Sequence, residues 1–177
     1  MRPEDSAPRL KRLDWLFTRY PLYFVTSCTK DRRDRLAHDL VHQSFRAFCL
    51  NGRDRGVFVG RYVLMPDHLH LFVTFGAEYE AALVTRKESA AGAHYVHPLS
   101  SWIKSLKNAL SKTLRAMSVP APHWQKGFFD HVLRSGESYS EKWLYVLENP
   151  VRKGLVSRWQ DWPYQGEMYP LQAKGHL

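Results

Sequence analysis

"VFVGRYVLMPDHLHLFVTF", residues 57–75, decides how this chain folds. Two runs rich in Val, Phe, Leu and Tyr flank the dipeptide Pro66-Asp67, a tight-turn signal that predicts an antiparallel hairpin with strands over 57–65 and 68–75. Strand side chains alternate between faces. Leu69, Leu71, Val73 and Phe75 therefore share one face, while His68 and His70 share the other. The apolar set marks the face that helices bury, which leaves both imidazoles on a face available to something else.

Upstream, "YPLYFVTSCT" (20–29) is aromatic and β-branched and predicts a first strand. In "HDLVHQSFRAFCLNGR", Val41, Phe45, Phe48 and Cys49 recur at helical spacing, with Gly52 at the natural stop. Downstream, "PLSSWIKSLKNALSKTLRAM" is the clearest helix. Leu99, Ile103, Leu106, Leu110, Leu114 and Met117 step by three or four, and Ser100 or Ser101 is the expected cap. "HWQKGFFDHVLR" (123–134) predicts an aromatic loop leading into a strand, and "GESYSEKWLYVLENP" a third helix stopping near Pro150. The order strand, helix, strand, strand, helix, strand, helix predicts an α+β fold: a ferredoxin-like split βαβ antiparallel sheet with two helices on one face, the other face open, and an appended C-terminal helix. Residues 1–14 are expected to form a flexible basic arm, 15–165 a single domain, 76–98 a surface insertion and 166–177 a C-terminal tail.

A chain of 177 residues is long enough for a real core. With 26 Lys+Arg against 17 Asp+Glu, a net charge of +9 and a pI of about 9.7, the balance favours a polyanionic partner. The charged, proline-punctuated N-terminus lacks the apolar stretch of a signal peptide, and no segment has the uninterrupted apolar length of a membrane span, so a cytoplasmic location is expected. Cys28 and Cys49 form no CxxC pair, which argues for packing roles.

Two imidazoles on alternate strand positions suit a metal ion if a third group comes from another element; equally, either ring could hydrogen-bond its neighbours. Tyr145 and Asn149 are four apart, on one face of the expected third helix. That pair offers a nucleophile beside a ligand, or else a packing tyrosine and a helix-ending asparagine. Lys104, Lys107, Arg134, Arg152 and Lys153 are candidate phosphate contacts, and Trp124, Phe128 and Phe129 candidate stacking platforms, with an aromatic core as the alternative. Asp130 and His131 are expected to make structural hydrogen bonds.

The blocks "MPDHLHLFV", "WQKGFFDHVLR" and "YVLENPVRKGLV", in this order and spacing over roughly residues 20–164, resemble the REP-associated tyrosine transposases of the HUH endonuclease superfamily. What the resemblance implies is a single-strand DNA endonuclease and strand transferase acting on hairpin-forming repeat DNA. His68 and His70 would bind Mg²⁺ or Mn²⁺, Asn149 would complete the metal site, and Tyr145 would be the nucleophile that forms a 5′-phosphotyrosine. The insertion 76–98 and the N-terminal arm depart from the family pattern. Two other readings of the same residues are a non-cleaving regulator that grips structured nucleic acid and a hydrolase in which water attacks and Tyr145 is a bystander. Whether the chain acts as a monomer or a homodimer is left open by the sequence.

Overall fold

The computed structural model describes residues 21–79, 81–82, 97–133 and 139–171. The expected arm at 1–14, most of the insertion 76–98 and Arg134 lie outside the described residues. Strand β1 (Leu22–Cys28) is followed by helix α1 (Asp39–Gly52), the hairpin β2 (Val57–Leu64) and β3 (His68–Phe75), helix α2 (Pro98–Ala116), strand β4 (Phe129–Leu133), helix α3 (Tyr139–Leu147), a short helix α4 (Asn149–Arg152) and strand β5 (Gln165–Glu167). The sheet order is β4-β1-β3-β2-β5, and every recorded pairing is antiparallel. The first four strands thus follow the split βαβ plan that the element order predicts.

The alternation read from the hairpin holds along β3. Leu69, Leu71 and Val73 join Tyr23 and Val25 in a core covered by Val41, Phe45 and Cys49 of α1 and by Ile103, Leu106, Leu110 and Leu114 of α2. The cap of α2 differs from expectation. His97 accepts a hydrogen bond from the Leu99 amide, and Pro98 opens the helix ahead of Ser100 and Ser101. Proline, with φ preset and no N–H to satisfy, suits that first position.

The other sheet face is not left open. Phe72, Leu22 and Val63 pack there against Tyr139, Trp143, Val146 and Leu147 of α3, together with Trp162 and Leu171. A bulge between Val59 and Tyr62 shapes this contact, because it frees the Arg61 amide to donate to the Tyr139 hydroxyl at 3.1 Å. Gly60 makes room for it: a Cβ there would lie 2.6 Å from Leu171 and 2.8 Å from the Tyr139 hydroxyl. Of the segment 166–177, expected to be a tail, the described residues pack on the fold: β5 (Gln165–Glu167) pairs with the edge of β2, and Leu171 is buried.

Candidate active site

Proline shapes the end of α3. Pro150 has no N–H and its ring would collide with the carbonyl one turn back, so a helix running from Tyr139 cannot pass smoothly through it. The chain turns at Glu148, and Asn149 opens α4 instead of extending α3 as the sequence suggests. Tyr145 and Asn149 are nonetheless tied together by Arg152. Its guanidinium lies 4.3 Å from the centre of the Tyr145 ring, donates to the Tyr145 carbonyl at 2.6 Å and holds the Asn149 side-chain oxygen. The Tyr145 side chain faces solvent, with the residue 69% exposed.

Helix α3 packs on the sheet face that carries the histidines. Phe72 on that face contacts Tyr139 and Trp143, and the Lys142 ammonium sits 5.7 Å over the ring of Phe24, which stacks on His70 at 5.4 Å. Arg152 and Lys153 act electrostatically on His70 and His68 respectively. The structure thus brings both imidazoles and the Tyr145-Asn149-Arg152 group to the same side of the sheet.

The two rings stand edge to face with centroids 4.7 Å apart. Each uses Nδ1 for an internal hydrogen bond, His68 to Asp67 Oδ1 at 2.6 Å and His70 to Thr26 Oγ1 at 2.8 Å. That leaves the Nε2 atoms as the donors available to a cation, the arrangement in which a carboxylate or hydroxyl fixes the outer nitrogen of a metal-binding histidine. Burial pushes both imidazoles below their usual range. For His68 the Asp67 carboxylate opposes the shift, while for His70 the neighbouring His68, Arg32 and Arg152 add to it and bring it to about 3. Asp67 moves the same way for a different reason. Burial would raise it, but the His68 bond and the charges of His68 and Arg32 hold it low. Among the described residues no group of three His, Cys, Asp or Glu side chains suits a metal ion, so a third ligand would have to be of another type, which an amide oxygen is.

The His70 shift carries a pH dependence. Its folded-state value lies below the unfolded one, so between about 6.5 and 3 the unfolded chain takes up a proton that the native ring refuses, and stability falls as pH falls. In chelator, the wild type is expected to lose about 2 kcal/mol of unfolding free energy between pH 7 and pH 5 through this group, and His70→Gln to lack that part of the slope. Urea unfolding at both pH values measures it, and identical slopes would refute it.

Not every expected DNA contact is free to make one. The Lys107 ammonium donates to the carbonyls of Gly127 and, at 3.3 Å, Gln125, while the Trp124 indole donates to the Lys107 carbonyl and to Ser111 Oγ. Phe128 packs on the helix-side core. These three groups lock the loop before β4 onto α2. Lys104, Arg152 and Lys153 are exposed. Phe129, paired with Thr26 across the sheet and 72% exposed, lies on the histidine face. Asp130 and His131 sit on exposed positions of β4. Sequence reading passed over Asp67 and Arg32. A carboxylate directly preceding the first histidine was the available signal for Asp67, whereas nothing local marks Arg32.

No family model matches the chain. A REP-associated tyrosine transposase of Escherichia coli (strain K12) is 22% identical over 162 residues, covering 88% of this chain and 86% of that protein. A Haemophilus influenzae protein assigned to the same group is 22% identical over 167 residues, covering 90% of this chain and 91% of its own length. Among solved structures, a REP-associated tyrosine transposase bound to a REP hairpin matches with a TM-score of 0.55 and 21% identity, over 99% of this chain and 93% of that one. The sequence motifs, the near full-length alignments and the shared fold agree in the likeness they show: over most of its length the chain is similar to the REP-associated tyrosine transposases.

Proposed function

We propose that this protein is a metal-dependent endonuclease and strand transferase for single-stranded, hairpin-forming repeat DNA, working through a 5′-phosphotyrosine on Tyr145. The observation that carries this reading is the common sheet face: an exposed phenol, an amide and two imidazoles whose Nδ1 atoms are engaged internally, with Arg32, Arg152, Lys142 and Lys153 around them. Such a cationic surface suits a phosphodiester.

The Tyr145 oxygen attacks the scissile phosphorus, the bond from phosphorus to the 3′ oxygen breaks, and the proton leaving the phenol is balanced by the one gained by the departing 3′-hydroxyl. Phenolate leaves more readily than an alkoxide, so the linkage stays competent for rejoining to another 3′-hydroxyl. His68, His70 and Asn149 would hold Mg²⁺ or Mn²⁺, which polarises the phosphate and offsets the charge that builds in the transition state. Arg152, which holds the Asn149 oxygen, must yield it for that, and its guanidinium is then free for the substrate. Lys104, Arg152 and Lys153 are the proposed phosphate contacts, and Phe129 the proposed stacking platform for an unpaired base. The same reading implies a cytoplasmic location; no helix among the described residues is long and apolar enough to cross a membrane.

The test is covalent capture. Labelled repeat-hairpin oligonucleotides with single-stranded flanks, incubated with protein and Mn²⁺, should give a species that survives denaturation. A chelator, or His70→Ala, should reduce it at least about 100-fold. Salt-dependent binding with no adduct under any divalent cation would instead support the non-cleaving regulator.

A further inference from the structure

The geometry points to Arg32 as a phosphate-gripping residue of this site, aimed by Asp67, which at the same time orients His68. The inference rests on the proposed DNA reading. Asp67 bridges the two groups: Oδ1 accepts the His68 Nδ1 proton at 2.6 Å and Oδ2 meets Arg32 Nε at 2.7 Å. Arg32 Nη1 donates to Cys28 Sγ at 2.8 Å. Its third nitrogen, Nη2, lies 3.5 Å from His68 Nδ1, but that ring nitrogen already donates its own proton to Asp67 and has no lone pair to offer. A guanidinium carries five N–H donors in a rigid fork, so the Nη2 protons are left beside the histidine pair for an acceptor that arrives from outside. A phosphate oxygen is the acceptor this fork fits best. The side chain is 44% exposed, enough to be reached.

The backbone supports the same assignment. Asp31 and Arg32 both adopt left-handed conformations, with φ of 55° and 53°, which side-chain-bearing residues rarely take up. They are held there by hydrogen bonds on both flanks: Thr29 N to the Asp67 carbonyl at 2.9 Å, Lys30 N to the His123 carbonyl at 2.9 Å, and Arg35 N and Leu36 N to the Pro66 carbonyl at 2.7 and 2.9 Å. The loop is thus fastened to the very turn that precedes His68. An arginine needed only to neutralise Asp67 would not require a backbone of this kind, whereas one needed at a fixed position beside the two rings does.

Two readouts on wild type, Arg32→Ala and Arg32→Lys separate a substrate contact from a structural one. In chelator, binding of a single-stranded oligonucleotide is followed across salt concentration. Loss of one phosphate contact should lower the slope of log affinity against log salt by about 0.7 in Arg32→Ala, with Arg32→Lys keeping most of it. In Mn²⁺, adduct formation should drop about 100-fold in Arg32→Ala and at least about tenfold in Arg32→Lys, because a point charge cannot serve Asp67 and the phosphate together. If Arg32→Ala does not fold, Arg32→Lys decides: adduct formation at the wild-type rate would overturn the proposal. Unchanged slope and rate in Arg32→Ala, with the wild type active, would sink this inference alone. A wild type that binds with an Arg32-dependent slope but forms no adduct would sink the cleavage reading and leave the phosphate grip standing. A wild type that binds no DNA would sink both.

Discussion

Tyr145→Phe is expected to abolish the covalent DNA adduct, lowering its formation by at least about 10⁴-fold, while leaving the fold and the DNA affinity close to wild type. The substitution is unusually clean here. The residue is 69% exposed, so loss of its hydroxyl should move stability by less than about 0.5 kcal/mol. The guanidinium of Arg152 sits over the ring and binds the main-chain carbonyl, contacts that phenylalanine retains. What disappears is the oxygen alone. Denaturing electrophoresis of Mn²⁺ reactions with matched oligonucleotides measures the adduct, and anisotropy measures binding. An adduct that survives Tyr145→Phe would reassign the nucleophile, and strand cleavage at an unchanged rate without adduct would point to attack by water.

How far the site could be read from the sequence depended on the range of the contacts involved. The two faces of β3 were legible because a period of two is a local property, and so were the long helices, whose apolar stripes repeat within one element. The histidine face followed from the same count. The partner of that face did not. Where α3 lands depends on Phe72 meeting Tyr139 and on the Arg61 amide freed at a bulge 78 residues before it in the chain, and neither leaves a local pattern. The three-residue β5 escaped notice because "QGE" has no β character, and Gly166 serves close approach instead, since a Cβ there would lie 2.9 Å from the Tyr62 hydroxyl. Lys107 and Trp124 looked like DNA contacts because composition cannot tell a cation spent on loop carbonyls from a free one. Pro150 was read as a stop, and it does act as one, but the break falls before Asn149, so the tyrosine and the amide are joined by Arg152 and not by a continuous helix.

That dependence of α3 on distant packing makes Phe72→Ala the second large effect. Phe72 is fully buried, with ring centroids 5.1 Å from Phe24, 4.4 Å from Tyr139 and 6.5 Å from Trp143. Truncating it should cost about 3–5 kcal/mol, a large share of the 5–15 kcal/mol typical of a domain. A second consequence follows from length. At nine residues α3 is too short to be stable alone, so it owes its helicity to what it packs on. With Phe72 gone, its anchoring falls to Leu22, Val63, Trp162, Leu171 and the Tyr139 hydroxyl, and Tyr145 is held less firmly on the histidine side of the sheet. Phe45→Ala supplies the comparison, because Phe45 is equally buried but belongs to α1 and packs into the core on the other face of the sheet. Both variants should lose similar stability in urea unfolding. At a temperature where both remain folded, Phe72→Ala alone should slow adduct formation, by about tenfold or more, since small displacements of a reacting group carry costs of that order. Equal adduct rates in the two variants would mean that the position of Tyr145 is set by something other than this face of the sheet.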